Sequence, residues 1–251
     1  MTSGIETFRK HFKEFKDQYV LIGGTACDLL LDEAGISFRA TKDIDMVLIV
    51  EALTAEFASS FWQFVHEGGY EARLRSSGKP EFYRFVNPKS AEYPAMIELF
   101  ARDKSSFGDS YPRHLAPLHI DNEISSLSAI LLNPAYYEFL LGGRTVAGEV
   151  SVLDAAHLVP MKMKAWLDLT EKKSLGTLVG DRDLRKHRQD VFRLFPLISN
   201  DARIKVPVEV YQDIQKFIEE LRSMPFETKQ IGINIDKNEI LDIYGSIYEQ
   251  K

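Results

Sequence analysis

The chain has 251 residues, 31 Lys and Arg against 37 Asp and Glu, and a formal net charge of −6. At ~100–200 residues per domain this is one large domain or two modest ones, and 45% hydrophobic residues supply a core without disulfide or metal staples. One cysteine, no apolar run near the ~20 residues of a membrane helix and an acidic total argue against a disulfide framework, a membrane span and a general nucleic-acid coat.

Taken in chain order, Ile5, Phe8, Phe12 and Phe15 recur at helical spacing among Lys, Arg and Glu, which predicts an amphipathic first helix. The same N-terminal stretch lacks the apolar centre of an export signal, so the expected location is the cytoplasm. Tyr19–Ile22 is a short apolar run closed by Gly23 and Gly24, a buried strand entering a tight turn, and residues 25–31 read as a helix opening at that turn. Residues 45–50 predict a second strand, and Phe57, Phe61, Phe64 and Val65 one face of a helix. Three further strand-like runs follow at 70–74, 82–86 and 96–100. Beyond about residue 150 the pattern turns helical: 154–169, interrupted or restarted at Pro160, then 181–197, 208–221 and 239–248. The expected organisation is an α/β (α+β) mixed-sheet domain over 1–150 with flanking helices, followed by a helical bundle over 151–251.

The stretch that carries chemistry is Gly23-Gly24-Thr25 followed by Thr41-Lys42-Asp43-Ile44-Asp45. On a strand, residues two apart point the same way, so Asp43 and Asp45 project from one face. Paired carboxylates suit Mg²⁺, which takes a few carboxylates together with phosphate oxygens and water. A Gly-Gly turn ahead of a helix lets backbone N–H groups approach a phosphate closely, and Thr25 adds a hydroxyl there. Taken singly, Asp-x-Asp can be solvated and Gly-Gly can be only a turn; the order strand, turn, helix, Asp-x-Asp is what makes the set informative. Glu98 lies in the middle of an apolar run, Met96–Phe100. A buried, unpaired acid there costs several kcal/mol. It either joins Asp43 and Asp45 in a metal site and accepts a proton, or sits on an exposed face, or pairs with Arg84 or Arg102.

These residues resemble the signature of the nucleotidyltransferase superfamily with the DNA polymerase β-type fold: Gly-Gly-Thr, then Arg39-x-Thr41-x-Asp43-x-Asp45, then Glu98 on a later strand. In the second half, Lys162-Met-Lys164-Ala-Trp-Leu-Asp168 and Lys186-His187-Arg-Gln-Asp190-Val resemble the AbiEii/AbiGii toxin-like (MenT-type) members. The match departs at His187, which stands where the family has an acid.

The resemblance implies transfer of a nucleoside monophosphate from an NTP, aided by Mg²⁺ or Mn²⁺, to an acceptor hydroxyl. It implies metal binding at Asp43, Asp45 and Glu98, and phosphate or nucleotide contacts from Gly23, Gly24, Thr25 and Lys42. Lys162 would stabilise charge at the reacting phosphate with Asp190 orienting it; Lys164 is the second choice for that lysine, and His187 either touches the nucleotide or packs. An RNA acceptor such as tRNA and a cognate antitoxin are the implied partners. Two alternatives stand beside this: a small-molecule nucleotidyltransferase of the aminoglycoside or lincosamide type, and a non-catalytic nucleotide-binding relative. Residues 162–193 hold nine Lys/Arg against five Asp/Glu, a net of +4 that leaves −10 for the rest, so an acidic total is compatible with a local grip on phosphate.

Overall fold

The computed structural model describes residues 4–49, 51–72, 82–100, 130 and 133–251. The chain divides into two compact units, Met1–Ile124 with Arg144–Asp154, and Ser125–Gly143 with Ala155–Lys251. The fold is mixed α/β.

The first unit is built on a seven-stranded sheet. Its strands are β1 (Tyr19–Ile22), β2 (Asp43–Leu48), β3 (Glu71–Ala72), β4 (Phe82–Val86), β5 (Met96–Phe100), β6 (Arg144–Ala147) and β7 (Val150–Leu153). They lie in the order β3-β4-β5-β2-β1-β7-β6. β1 runs antiparallel to β2 and parallel to β7, and β2 runs parallel to β5, so the sheet is mixed at its centre. Helices α1 (Ile5–Phe12), α2 (Gly23–Glu33) and α3 (Ala55–Gly68) belong to this unit.

Its core is aromatic. Phe8 and Phe12 of α1, Phe57, Phe61 and Phe64 of α3, Tyr19 of β1 and Phe85 of β4 are all buried. Phe12 meets Phe57, Phe61 and Phe64 at centroid distances of 5.8, 6.2 and 5.2 Å, and Phe61 meets Phe85 at 5.5 Å, edge-on or tilted as aromatic quadrupoles favour. Tyr19, the partner of Leu48, and Phe85, the partner of Ile97, therefore mark the sheet face that α1 and α3 cover. α1 ends at Phe12 rather than running on to Phe15; the chain tightens into a 3₁₀ turn at Lys13–Phe15. Thr54 caps α3 by accepting from the Phe57 amide at 3.2 Å.

The strand expected at 45–50 begins two residues earlier, and its Val50 lies outside the described residues, as do Arg73 and Leu74 of the run 70–74 and Arg102. The hairpin β6–β7 was not anticipated. Its two-residue connection, Gly148-Glu149, has positive φ at both positions (54° and 64°), the geometry of a tight primed turn whose twist matches the strands.

The second unit contains α4 (Pro134–Gly142), α5 (Ala155–Ser174), α6 (Asp181–Arg193), α7 (Val208–Ser223), α8 (Lys237–Ile247) and a small parallel pair, β8 (Ile204–Val206) with β9 (Tyr248–Gln250). Trp166 packs edge-on to Phe217 at 5.3 Å. α5 is continuous through Pro160, contrary to the expected interruption. A proline there removes the N–H that would bond the Ala156 carbonyl four residues back. The Tyr248 hydroxyl donates to that carbonyl at 2.7 Å, so the missing helical bond is replaced from β9. The helix expected over 181–197 stops at Arg193 and passes into a 3₁₀ turn containing Pro196. Among the described residues no helix is long and apolar enough to cross a membrane.

Candidate functional site

The first unit gathers most of the residues singled out in the sequence at one strand–helix junction. β1 ends at Ile22, which pairs with Asp45 across the antiparallel register. The next residue, Gly23, opens α2 with φ +71°, a left-handed conformation that side chains disfavour. A Cβ at Gly23 would collide with the Asp45 carboxylate. Glycine is therefore required twice over, by its backbone angle and by the carboxylate lying against it. A Cβ at Gly24 would come within 2.9 Å of the Thr41 methyl. The turn is kept open by two absent side chains.

Asp43 and Asp45 share the face of β2 opposite the aromatic core, Asp43 exposed and Asp45 half-buried, while Ile44 between them is buried. The parallel register sets Asp45 directly beside Glu98 on β5, and the antiparallel register sets Glu98 beside Arg84 on β4. Directly paired residues point to one face, so Asp45, Glu98 and Arg84 form a row across three strands.

Glu98 is buried, and its Oε1 accepts from Arg84 Nε at 2.7 Å and also pairs with Nη2. Of the readings open for this acid, pairing with Arg84 is the one observed. The reason is the desolvation cost of a buried carboxylate, which a neighbouring guanidinium offsets with charge-assisted bonds. Among the described residues no group of three or more His, Cys, Asp or Glu is gathered in the geometry of a metal site. The two aspartates do fit a hard divalent cation in kind: carboxylate oxygens on one face, one of them fixed in a cradle that any Cβ would fill.

Thr25 is fully buried, and its hydroxyl donates to the Asp43 carbonyl at 2.6 Å. It fastens the start of α2 to the start of β2 and so acts on the site through the backbone. Lys42 is exposed beside Asp43. Cys27 is buried, and its thiol lies 3.1 Å from the Gly23 carbonyl, behind the turn.

The second unit holds the remaining candidates. Lys162 and Asp190 are 2% and 0% exposed, and Lys162 Nζ donates to Asp190 Oδ2 at 3.2 Å. Lys162 is thus not on a solvated helix face; it is one half of an ion pair in the interior of its unit. Arg193 approaches the other carboxylate oxygen at 3.7 Å. Lys164 points elsewhere on α5, as a spacing of two requires, and bridges Asp168 at 3.2 Å and Asp213 at 3.3 Å. Burial pulls the Lys164 ammonium down, but the two carboxylates outweigh it and hold its pKa above the usual lysine range. Burial raises Asp168 in spite of the same lysine. The buried Tyr136 hydroxyl donates to the second oxygen of Asp213 at 2.9 Å, and burial together with that carboxylate raises its pKa. His187 is half-buried on α6.

Two arginines went unassigned in the sequence. Arg39 stood inside the Arg-x-Thr-x-Asp-x-Asp string without a role, and Arg84 was weighed only as a partner for Glu98. Asp213 and Tyr136 gave no sequence signal, since an acid on an amphipathic helix reads as solvated.

No protein-family model matches this chain, and no curated protein matches it. Among solved structures, it is similar to an antigenic nucleotidyltransferase-like protein from Paracoccidioides brasiliensis, at 16% identity and TM-score 0.48, over 95% of this chain and 98% of that one. It is similar also to the antibiotic-resistance factor ANT(2'')-Ia, at 10% identity and TM-score 0.39, over 88% and 90% of the two chains. A third likeness is to JHP933 from Helicobacter pylori, at 12% identity and TM-score 0.33, over 97% of this chain and 87% of that one. At these identities and scores the likenesses assign neither family nor reaction.

Proposed function

We propose that the first unit is the catalytic domain of a nucleotidyltransferase, moving a nucleoside monophosphate from an NTP to an acceptor hydroxyl with release of pyrophosphate. The observation that carries this reading is the Gly23-Gly24 turn closed against Asp45, with Asp43 on the same strand face and Glu98 beside Asp45 on the next strand. Asp43 and Asp45 are the residues that would hold a Mg²⁺ or Mn²⁺ ion, whose chemistry when bound is to offset the charge of the triphosphate. The open turn lets phosphate oxygens reach backbone N–H groups at the start of α2. The acceptor oxygen forms a bond to the α-phosphorus, its proton passes to a carboxylate, and the bond to the β-phosphate oxygen breaks with its electron pair leaving on pyrophosphate. Glu98 suits the proton step through Oε2, because the bonds from Arg84 fall on Oε1. Most of the catalytic effect in such a site is position and charge compensation.

For the acceptor, the reading favoured is RNA, tRNA in particular, in the manner of a toxin-like enzyme with a cognate antitoxin. Its support is the sequence resemblance together with the net +4 of residues 162–193. The test is incubation with Mg²⁺, each labelled NTP in turn, and either total RNA or a set of aminoglycosides and lincosamides. Label entering RNA from wild type but not from Asp43→Ala is the expected result. Label entering only the small molecules replaces the RNA reading with a drug-modifying one. Wild type that labels nothing, like Asp43→Ala, overturns the enzyme reading in favour of a nucleotide-binding relative.

A further inference from the structure

Arg39 lies directly above the glycine turn. Its two terminal nitrogens, Nη2 and Nη1, are 3.5 and 3.6 Å from the point a Gly24 Cβ would occupy. That near-equality means the forked end of the guanidinium, rather than its stem, faces the turn. The guanidinium also lies over an aromatic ring, its carbon 4.9 Å from the centre of Phe38. Arg39 is half-buried, so part of its hydration is already stripped before any ligand arrives. α2 has no acidic residue in its first turn and no side-chain cap.

Charges of opposite sign are therefore set at successive residues of one turn. The Asp45 carboxylate lies against Gly23, and the Arg39 fork lies against Gly24. A cation and a phosphate oxygen fit those two places side by side, as a metal-bound polyphosphate requires. A planar fork with two parallel N–H groups matches two oxygens of one phosphate group, which a lysine ammonium cannot do. We infer that Arg39 is a substrate-binding residue that grips the polyphosphate of the nucleotide, and so makes the site selective for triphosphates over monophosphates. The inference rests on the nucleotidyltransferase reading of this same turn and adds to it a residue and a selectivity.

The experiment is calorimetric titration of the full chain with an NTP and with the corresponding NMP, both with Mg²⁺, for wild type, Arg39→Gln and Arg39→Lys. Thermal unfolding is recorded for each. Losing charge-assisted bonds to a phosphate is expected to weaken NTP binding about 10- to 100-fold in Arg39→Gln, with NMP binding unchanged. Arg39→Lys is expected to fall between, because it keeps the charge and loses the fork. It carries the same comparison if Arg39→Gln does not fold. Wild type preferring NTP, with the same preference retained by the variants, overturns the role of Arg39 and leaves the nucleotidyltransferase reading in place. Wild type binding neither nucleotide overturns that reading and the inference with it.

Discussion

The two units each place a carboxylate beside a basic side chain, and they do it in opposite surroundings. In the first unit, Asp43 is exposed and Asp45 half-buried, and the pair Arg84–Glu98 is 24% and 9% exposed. In the second, Lys162 and Asp190 are almost completely removed from water. A charge at the edge of solvent can take up a ligand at low cost. A charge pair in the interior is already committed to its partner, and breaking it leaves an ion in a medium that cannot solvate it. The first arrangement is suited to binding, and the second joins helices α5 and α6 through one ion pair.

The largest expected effect tests the second half of that contrast. Lys162→Ala should destabilise the protein by about 3–5 kcal/mol in urea unfolding, because Asp190 is left buried and uncompensated. The double variant Lys162→Met with Asp190→Leu should recover most of the loss; failure to recover would mean that the charges do more than satisfy each other. Next, Asp43→Asn should lower nucleotide transfer by about 10²- to 10³-fold while leaving the unfolding midpoint close to wild type, since Asp43 is exposed. A large loss of stability in that variant would blur the distinction between the two units.

Gly23→Ala should do both kinds of damage, which places it between the two cases. The left-handed backbone costs about 1–3 kcal/mol with a side chain present, and the displaced Asp45 carboxylate should lower activity as well. Smallest of the four, Tyr248→Phe should cost about 1–3 kcal/mol in thermal or urea unfolding by leaving the Ala156 carbonyl without a donor, and should leave nucleotide binding to the first unit unchanged.

Much of the junction in the first unit was legible beforehand because it is local. A short apolar run ended by Gly23-Gly24 announces a strand entering a turn, and a two-residue period puts Asp43 and Asp45 on one side whatever else the chain does. Helices α5 to α8 of the second unit were legible from their periodicity, apart from their ends, whereas α4, over Pro134–Gly142, was not read from the sequence. The hairpin β6–β7 was missed because its strands are four residues each and β7 joins the sheet through β1, more than a hundred residues earlier, information that no local window contains. For Glu98 the sequence left a metal, the solvent and two arginines open; register across three strands sets Arg84 beside it. Arg102, the other arginine considered, lies outside the described residues.

Sequence alone determined where the turn is, which acids share a strand face and that Lys162 and Lys164 diverge, since each of these follows from backbone geometry over a few residues. Only the tertiary structure decided that Lys162 is interior and bound to Asp190, that Tyr248 replaces the bond Pro160 removes, and that the Arg39 fork faces Gly24. Those outcomes depend on which residues, tens to about ninety apart in the chain, are brought within a few ångströms. Burial, which sets the cost of every unpaired charge, exists only once they are.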